Sequence, residues 1–221
     1  MAEYVAPICL TPDGSATLYS ARYGEHYHNR NGATSQARHV FLEGTFTHVA
    51  TAPTVLEIGF GVGVNFLETL ALMRERETPL CYRAFEFDPL PRAALAAVAQ
   101  PHAAHDHPLW RALLDAWPHS PLSLTHGTHK VDIEFCDASL ASLPIAWASA
   151  IYLDGFSPPV NGELWSETFI ARLADALLPG GWLATYSAAS AVRRALAQAG
   201  LKVHRRAGVA GKRECLSAQK P

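Results

Sequence analysis

Three glycines occupy alternate positions in the stretch Gly59-Phe60-Gly61-Val62-Gly63. A short apolar run, residues 54–58, precedes the stretch, and residues 64–76 follow it with the spacing of a helix that buries one face. Glycine at a strand-to-helix turn lets the backbone bend tightly and approach a ligand closely, because no Cβ stands in the way. The pattern predicts a ligand-binding turn, and the alternative is a tight turn with a purely structural role.

The residues around this turn indicate which ligand it binds. The dinucleotide fingerprint G-x-G-x-x-G needs a small residue at position 64, where this chain has Val64. Glu57 stands two residues before the first glycine, and its carboxylate would repel a pyrophosphate. S-adenosylmethionine (SAM) instead carries a positive charge at sulfur and an ammonium group, which a carboxylate attracts. We therefore predict SAM as the cofactor, with an NAD-dependent oxidoreductase as the disfavoured alternative.

Acidic residues also lie at or just after the ends of three further predicted strands. Glu86 lies in the strand predicted for residues 80–87, Asp137 follows residues 131–135, and Asp154 follows residues 150–153. In an open parallel sheet, ligands bind outside the carboxyl ends of the strands, so these side chains are expected to cluster. A carboxylate there can accept hydrogen bonds from ribose hydroxyls or from the exocyclic amine of adenine. We predict that Glu86 binds the ribose and Asp137 the adenine of SAM.

The segment Asp154-Gly155-Phe156-Ser157-Pro158 has features that suit methyl transfer to an amine. Methyl transfer is an in-line displacement that requires the nucleophile, the methyl group and the sulfur to be aligned. An amine must present a free lone pair, so a nearby carboxylate can orient it and help to remove its proton. We predict that Asp154 is catalytic and that Phe156 stacks on a flat substrate. The alternative is an incidental acid in a helix N-terminal turn.

Three histidines at positions 102, 105 and 107 lie in a segment that prolines border at positions 101 and 108. The segment contains no cysteine and no evident fourth ligand, whereas zinc sites usually have four ligands or three ligands and a water. The pattern favours a surface loop at the start of a helix, and we predict no metal site.

The elements that would position these residues alternate between strands and helices. Predicted strands cover residues 54–58, 80–87, 131–135, 150–153, 182–186, 201–206 and 212–217, and predicted helices cover residues 64–76, 91–99, 105–117, 163–178 and 188–199. This alternation predicts an α/β fold with a mostly parallel, Rossmann-like sheet over residues 49–221. Residues 1–48 instead contain short extended runs at 16–19 and 39–42 with turns between them, which predicts a β-rich N-terminal extension with a β-hairpin.

Composition and charge restrict the class of protein. The 221 residues are 49% hydrophobic and 17% charged, which is typical of a globular chain. There is no signal peptide or membrane-spanning run, and four widely separated cysteines indicate reduced thiols, so a cytoplasmic protein is expected. The net charge is −2, but residues 193–221 hold eight Lys and Arg against one Glu, a charge of +7 that leaves −9 for the rest. This basic end is either a footprint for nucleic acid or a solvated surface.

Beyond these patterns, the chain resembles a family of methyltransferases that modify the wobble uridine of bacterial tRNA. The family occurs as the methyltransferase half of the bifunctional protein MnmC or as the stand-alone MnmD. The resemblance covers residues 11–217, nearly the whole chain. Its more specific motifs are Asp154-Gly155-Phe156-Ser157-Pro158, Glu163-Leu164-Trp165 and Gly211-Lys212-Arg213-Glu214, with further matches at 18–20, 24–28, 38–44, 57–67, 85–86, 178–181 and 192–196.

The resemblance implies SAM-dependent methylation of the amine of 5-aminomethyl-(2-thio)uridine, which gives 5-methylaminomethyl-(2-thio)uridine in tRNA. It assigns catalysis to Asp154. The predicted cofactor-binding residues are Glu57, Gly59, Phe60, Gly61, Gly63, Asn65, Glu86 and Asp137, and the predicted substrate-binding residues are Tyr27, Arg38, Phe156, Lys212 and Arg213. The chain has no second glycine-rich nucleotide motif, so we expect no flavin oxidase domain and expect coupling to a separate flavin-dependent oxidase or other wobble-uridine enzymes.

Three alternatives stay open at this point. One is a SAM-dependent methyltransferase that acts on another RNA or on a small amine. Another is an RNA- or partner-binding module that has kept the fold and lost activity, against which the retained acidic residues argue. The third is the NAD-dependent oxidoreductase, which Val64 disfavours.

Overall fold

A computed structural model of the protein describes residues 7–221, and its N-terminal part is a small antiparallel sheet. Its strands, in spatial order, are β1 (Ile8–Leu10), β2 (Ala16–Ser20) and β3 (Glu25–His26). Asp13 and Gly14 lie in the turn between β1 and β2, where Gly14 has a φ of 82°. The predicted β-rich extension is therefore present, as three strands rather than a single hairpin.

The segment after β3 is helical. Helix α1 (Ala33–Gln36) continues directly into a π-helical turn, Ala37–Leu42. The extended run predicted for residues 39–42 is therefore wrong. Val40, Phe41 and Leu42 are consecutive and all buried, and such a short apolar run reads equally as a buried strand or a buried helical turn. These three side chains pack into the core of the main sheet, so the predicted ranges 1–48 and 49–221 share one core, and the boundary between them stays a prediction.

The main sheet has eight strands, five of which run parallel. In chain order they are β4 (Thr54–Ile58), β5 (Leu80–Glu86), β6 (Leu122–His126), β7 (His129–Phe135), β8 (Ala148–Leu153), β9 (Leu177–Thr185), β10 (Lys202–Ala207) and β11 (Glu214–Gln219). Their spatial order is β10-β11-β9-β8-β4-β5-β7-β6, with antiparallel strands at both edges. The strand β6 pairs with β7 as a hairpin and was not predicted, because three of its five residues are exposed.

The order of the parallel strands reverses at β4. The chain passes from β4 to β5 and β7 on one side, and then returns to place β8 on the other side of β4. Such a reversal opens a crevice at the carboxyl ends of the strands, where open α/β sheets bind ligands. The predicted α/β class with a Rossmann-like sheet is confirmed, and it places the turns after β4, β5, β7 and β8 around one crevice.

Helices cover both faces of the sheet. They are α2 (Val64–Glu75), α3 (Arg92–Ala99), α4 (Pro108–Ala116), α5 (Glu167–Ala176) and α6 (Ser190–Gln198). Buried side chains of α2 and α4 join one hydrophobic core, and those of α5 and α6 join the other. Helix α4 is shorter than predicted because the His107 ring accepts a hydrogen bond from the Leu109 N–H and so caps the helix, with Pro108 in its first turn. No helix within residues 7–221 combines the length and the apolar character needed to cross a membrane.

Candidate active site

A cavity of about 380 Å³ lies at the carboxyl ends of β4, β5, β7 and β8. Its floor is formed by the turns that follow these strands, and residues 23–31 of the N-terminal extension form much of its wall. Six carboxylate side chains line it, against two cationic ones: Glu25, Glu86, Asp88, Asp137, Asp154 and Glu163, with Arg30 and Lys212. An excess of carboxylates in a concave site attracts cationic ligands.

The glycine turn brings the backbone close to the neighbouring strand end. Gly59 has a φ of 88°, and a Cβ at this position would lie 2.8 Å from the carbonyl oxygen of Asp154. Gly61 has a φ of 55°, and a Cβ there would lie 3.0 Å from the ring of Tyr27. Only glycine fits these positions without displacing backbone or an aromatic ring. Both glycines line the cavity, as predicted for a turn that a ligand approaches.

Glu86 ends β5 inside the cavity, and its side chain is held in place by backbone donors. Its carboxylate accepts hydrogen bonds from the N–H of Gly61 and the N–H of Asp88, both at 2.7 Å. Burial raises the pKa of Glu86, and the two backbone hydrogen bonds oppose this shift because they favour the charged form. The carboxylate is therefore oriented before any ligand binds, and its remaining lone pairs are available to donors in the cavity.

Beneath the glycine turn, Asn65 connects two buried carboxylates. Its Nδ2 donates to Oε1 of Glu57 at 2.8 Å and to Oδ2 of Asp154 at 2.7 Å. The other oxygen of Glu57 accepts a hydrogen bond from the Tyr82 hydroxyl at 2.8 Å, and Glu57 is fully buried. Burial raises the pKa of Glu57 well above its usual range. Glu57 and Asn65 lie behind the cavity wall, so the structure places them where they support the turn and Asp154.

Asp154 follows β8 and lines the cavity, and its side chain is only 4% exposed. Burial raises the pKa of Asp154 to about 7, while the hydrogen bond from Asn65 and the charge of Lys212 act in the opposite direction. A carboxylate whose pKa lies close to neutrality can exchange a proton with a bound amine at little cost in free energy. Asp154 is thus a buried carboxylate in the cavity wall that can take up a proton near neutral pH.

The N-terminal extension anchors the loop that carries Asp154. The carboxylate of Glu25 accepts hydrogen bonds from the N–H of Ser157, at 3.0 Å, and from its hydroxyl. The ring of Tyr23 stacks on Phe156, with 4.1 Å between the ring centroids, and Tyr27 meets Phe156 edge-on at 5.0 Å. Neither Glu25 nor Tyr23 was predicted individually, although Glu25 stands in a stretch that carries the resemblance, residues 24–28.

Lys212 reaches the same cavity from the C-terminal end of the chain. Its ammonium lies 3.9 Å from the centroid of the Tyr186 ring, and the Tyr186 hydroxyl donates to the carbonyl of Gly155 at 2.9 Å. Desolvation lowers the pKa of Lys212, while the carboxylates of Asp154 and Glu25 act to raise it. Lys212 is thus a side chain of the cavity wall, whereas Arg213 lies outside the cavity in an adjacent groove.

The remaining predicted residues divide between the cavity and the protein interior. Asp137 lines the cavity after β7, and its Oδ1 accepts a hydrogen bond from the N–H of Ser139. Phe60 is buried against Phe66 and Trp117, and Gly63 lies against the ring of Trp110. Arg38 pairs with the buried carboxylate of Glu68, which His102 also contacts at 2.9 Å. Phe60, Gly63 and Arg38 do not line the cavity.

The histidines in the loop before α4 have structural partners. His102 contacts Glu68, and His107 caps α4. Across residues 7–221, no group of three or more His, Cys, Asp or Glu side chains is arranged to hold a metal ion.

The fold is that of SAM-dependent methyltransferases. A family model described as S-adenosyl-L-methionine-dependent methyltransferase matches residues 103–221, and the chain belongs to this family. The protein is 39% identical to the tRNA 5-methylaminomethyl-2-thiouridine biosynthesis bifunctional protein MnmC of Ralstonia nicotianae, over 96% of this chain and 34% of that protein. It is 36% identical to the MnmC protein of Burkholderia thailandensis, over 98% of this chain and 35% of that protein. The chain thus spans about a third of the length of these relatives, and the predicted resemblance is confirmed.

Solved structures agree on the fold. The crystal structure of MNMC2 from Aquifex aeolicus matches with a TM-score of 0.78 at 24% identity, over 100% of this chain and 73% of that chain. The spermidine synthase of Thermotoga maritima matches with a TM-score of 0.59 at 15% identity, over 97% of this chain and 68% of that chain.

Proposed function

We propose that the protein transfers a methyl group from SAM to the amine of 5-aminomethyl-(2-thio)uridine at the tRNA wobble position. The product is 5-methylaminomethyl-(2-thio)uridine. The observation that carries the proposal is the buried carboxylate of Asp154 on the wall of an acidic cavity, since it suits a cationic amine. The similarity to the MnmC relatives extends over nearly the whole chain, and the names of these relatives supply the identity of the nucleoside.

The charge of the cavity supports SAM as its ligand, since the carboxylates that line the site suit the two positive charges of SAM. The absence of a Cβ at Gly59 lets the glycine turn pack directly against the backbone after β8. Glu86 would hold the ribose hydroxyls and Asp137 the adenine amine. Glu57 and Asn65 are assigned as positioning residues that hold the turn and Asp154. SAM, when bound, supplies an electrophilic methyl group on a sulfonium.

Asp154 prepares the amine for attack. An aminomethyl group is mostly protonated in neutral water, and a protonated amine has no lone pair. Asp154 binds the ammonium, accepts one proton from it and passes that proton to water, after which its carboxylate accepts a hydrogen bond from the free amine. Asn65 keeps the carboxylate pointing in one direction during this exchange, through its 2.7 Å hydrogen bond.

Aromatic side chains beside Asp154 would receive the uracil ring. Phe156 and Tyr23 are half-buried and already stacked on each other at the cavity mouth, so a base can extend or enter this stack. Tyr27 lies between Phe156 and the glycine turn, where it would contact cofactor and substrate together. Lys212 contributes a positive charge on the substrate side of Asp154.

The basic end of the chain contributes fewer free charges to tRNA binding than its sequence predicts. Arg205 pairs with Glu214, and Arg206 lies 3.7 Å from Glu43. Lys220 donates hydrogen bonds to the carbonyl oxygens of Ala174 and Leu177. Within this basic end, the exposed basic side chains that have no ion-pair partner among residues 7–221 are Arg193, Arg194, Lys202, Lys212 and Arg213. Of these, Arg213 lines the groove next to the cavity, and Arg193 and Arg194 lie near the start of α6, at the same edge of the sheet.

We expect the combined change Arg193→Ala, Arg194→Ala and Arg213→Ala to weaken tRNA binding and to flatten its salt dependence. Each lost phosphate contact removes about one unit from the slope of log affinity against log salt concentration. The measurement is tRNA binding across a salt series, and SAM affinity should stay unchanged. The matched control is Arg111→Ala, an exposed arginine in the middle of α4. A triple variant with the slope of the wild type would show that these arginines do not contact tRNA.

The proposed function is tested with tRNA whose wobble uridine carries the aminomethyl group. Incubation with SAM should add one methyl group to this nucleoside, as measured by mass spectrometry of the digested tRNA. The same tRNA with an unmodified wobble uridine is the control and should gain nothing. Methylation of another RNA or of a small amine, with the aminomethyl nucleoside untouched, would replace this proposal by the corresponding alternative.

The same proposal places the reaction in the cytoplasm, where tRNA is modified, and after a step that generates the aminomethyl group. This chain matches about a third of the length of its bifunctional relatives. We propose that a flavin-dependent oxidase, or another wobble-uridine enzyme, supplies the substrate.

A further inference from the structure

His28 is a buried cavity residue that no part of the proposed mechanism has used. It follows β3, its side chain is 3% exposed, and its backbone N–H donates to the hydroxyl of Thr17 at 3.0 Å. Neither ring nitrogen has a hydrogen-bond partner within residues 7–221. Buried polar groups nearly always have partners, so an unpaired imidazole on a cavity wall indicates a ligand that supplies one.

The position of the ring relative to Asp154 indicates what this ligand group is. Nε2 of His28 lies 3.9 Å from Oδ2 of Asp154, and both side chains line the cavity. Burial lowers the pKa of His28 to about 4, so the ring is neutral near pH 7 and one of its nitrogens is a hydrogen-bond acceptor. With the proton on Nδ1, the acceptor is Nε2. The site then presents two adjacent acceptors, one anionic and one neutral.

We propose that His28 is the second acceptor for the N–H groups of the substrate amine and that, with Asp154, it limits the reaction to a single methylation. The inference rests on the proposed function. It adds a specificity-determining residue to the site, and it explains why the product is a secondary amine.

The distance between the two acceptors suits one amine nitrogen. A nitrogen about 2.9 Å from each acceptor, with the acceptors 3.9 Å apart, sees them at an angle of about 85°. This is close to the angle between two N–H bonds of an amine, so each hydrogen bond bends by only about 10°. When both N–H groups are held in this way, the lone pair of the nitrogen is directed away from both acceptors and towards the rest of the cavity.

The deprotonated product is an amine that this pair of acceptors no longer fits. The nitrogen lone pair forms the new N–C bond while the S–C bond of the sulfonium breaks, which leaves a neutral thioether and a secondary ammonium. For a second transfer, the secondary amine would have to lose a proton and present its lone pair again. It would then have one N–H for two acceptors, and its methyl group would occupy the place of the other N–H. One acceptor would be unpaired and buried, which disfavours the neutral secondary amine that a second transfer requires.

The test compares His28→Ala and His28→Gln with the wild type in two assays. The first is equilibrium binding, at a pH above the pKa of both amines, of two tRNAs that differ only in the wobble nucleoside, aminomethyl or methylaminomethyl. The second is mass spectrometry of the products after long incubation with SAM. His129→Ala is the control, since His129 is also buried with an unpaired Nδ1 but lies outside the cavity. SAM affinity is measured for every variant and should stay within about twofold of the wild type.

We expect the wild type to bind the free amine of aminomethyl tRNA about tenfold more tightly than that of methylaminomethyl tRNA, from the one hydrogen bond that differs. His28→Ala should lose this preference and accumulate dimethylated product, and His28→Gln, which restores an acceptor, should recover both properties. The binding assay decides the matter even where His28→Ala is inactive. If His28→Ala keeps the preference of the wild type, or if its only defect is a matching loss of SAM affinity, the inference is wrong. A wild type that methylates neither tRNA would instead contradict the proposed function.

Discussion

Replacement of Asp154 by Asn should lower the single-turnover rate on hypomodified tRNA by about 100-fold or more, the range for a positioned acid–base group. The change keeps the shape of the side chain but removes the charge that binds the ammonium and the base that accepts its proton. SAM affinity should change little, because Asp154 faces the substrate amine. The matched control is Asp115→Asn, whose exposed carboxylate pairs with Arg92 on the helical surface. A rate near that of the wild type at neutral pH would leave Asp154 with a structural role only.

The pH profile gives the same prediction a second readout. The raised pKa of Asp154, about 7, means that the carboxylate is ionised above this pH and protonated below it. The rate of the wild type at limiting substrate should therefore fall about tenfold for each pH unit below 7. Asp154→Asn should lack this inflection and recover partly at high pH, where the substrate is already a free amine. A profile that is identical for both proteins would contradict the assignment.

Glu86→Ala should weaken SAM binding by about 1.5–3 kcal/mol, the usual cost of losing hydrogen bonds to a charged group. Two effects act together, since the ribose would lose its acceptor and the N–H groups of Gly61 and Asp88 lose theirs. Glu86→Gln keeps an acceptor oxygen and should lie between the wild type and Glu86→Ala. Isothermal titration calorimetry with SAM measures all three.

The control for Glu86 is Glu167→Ala, an exposed glutamate in the first turn of α5. It should bind SAM like the wild type. If the dissociation constant of Glu86→Ala is unchanged while its thermal stability matches the control, Glu86 does not hold the cofactor.

The sequence alone was sufficient to predict that residues at four strand ends meet in one cavity. Gly59, Gly61, Glu86 and Asp137 all lie at strand ends, and a parallel sheet brings its carboxyl ends to one edge whatever the loop lengths. A residue that follows a predicted strand in the sequence can therefore be placed at the carboxyl edge of the sheet. The same reasoning placed Asp154 at the end of β8, where the structure has it.

The other side of the cavity depends on contacts that no local pattern encodes. Glu25 and His28 reach the site from the N-terminal extension, and Lys212 and Tyr186 from the C-terminal half. A charged residue in a basic stretch reads as a surface residue, so Lys212 was predicted to bind tRNA rather than to line the cavity. Likewise, a π-helical turn and an exposed edge strand lack a distinctive periodicity, which explains the errors at residues 39–42 and 122–126.

A sequence motif also cannot distinguish a residue that lines the cavity from a buried residue that lies behind it. Glu57 was predicted to meet SAM because of its place before the glycines, yet it is fully buried behind the turn. Its partners Asn65 and Tyr82 come from α2 and β5, and only the packing of these elements against β4 reveals the cluster. Arg38 was assigned to the substrate by its motif, but the structure pairs it with Glu68.

The hydrogen bonds between Glu25 and Ser157 join a segment that precedes the nucleotide-binding fold to the loop that carries the proposed base. The cavity is therefore assembled from two parts of the chain: the carboxyl edge of the main sheet, and the N-terminal segment that supplies Tyr23, Glu25 and His28. On the proposed function, the N-terminal segment contacts the methyl acceptor while the sheet edge holds the cofactor. Grafting residues 7–31 between members of this family, together with the matching 154–158 loop, is accordingly a route to exchange acceptor preference without rebuilding the cofactor site.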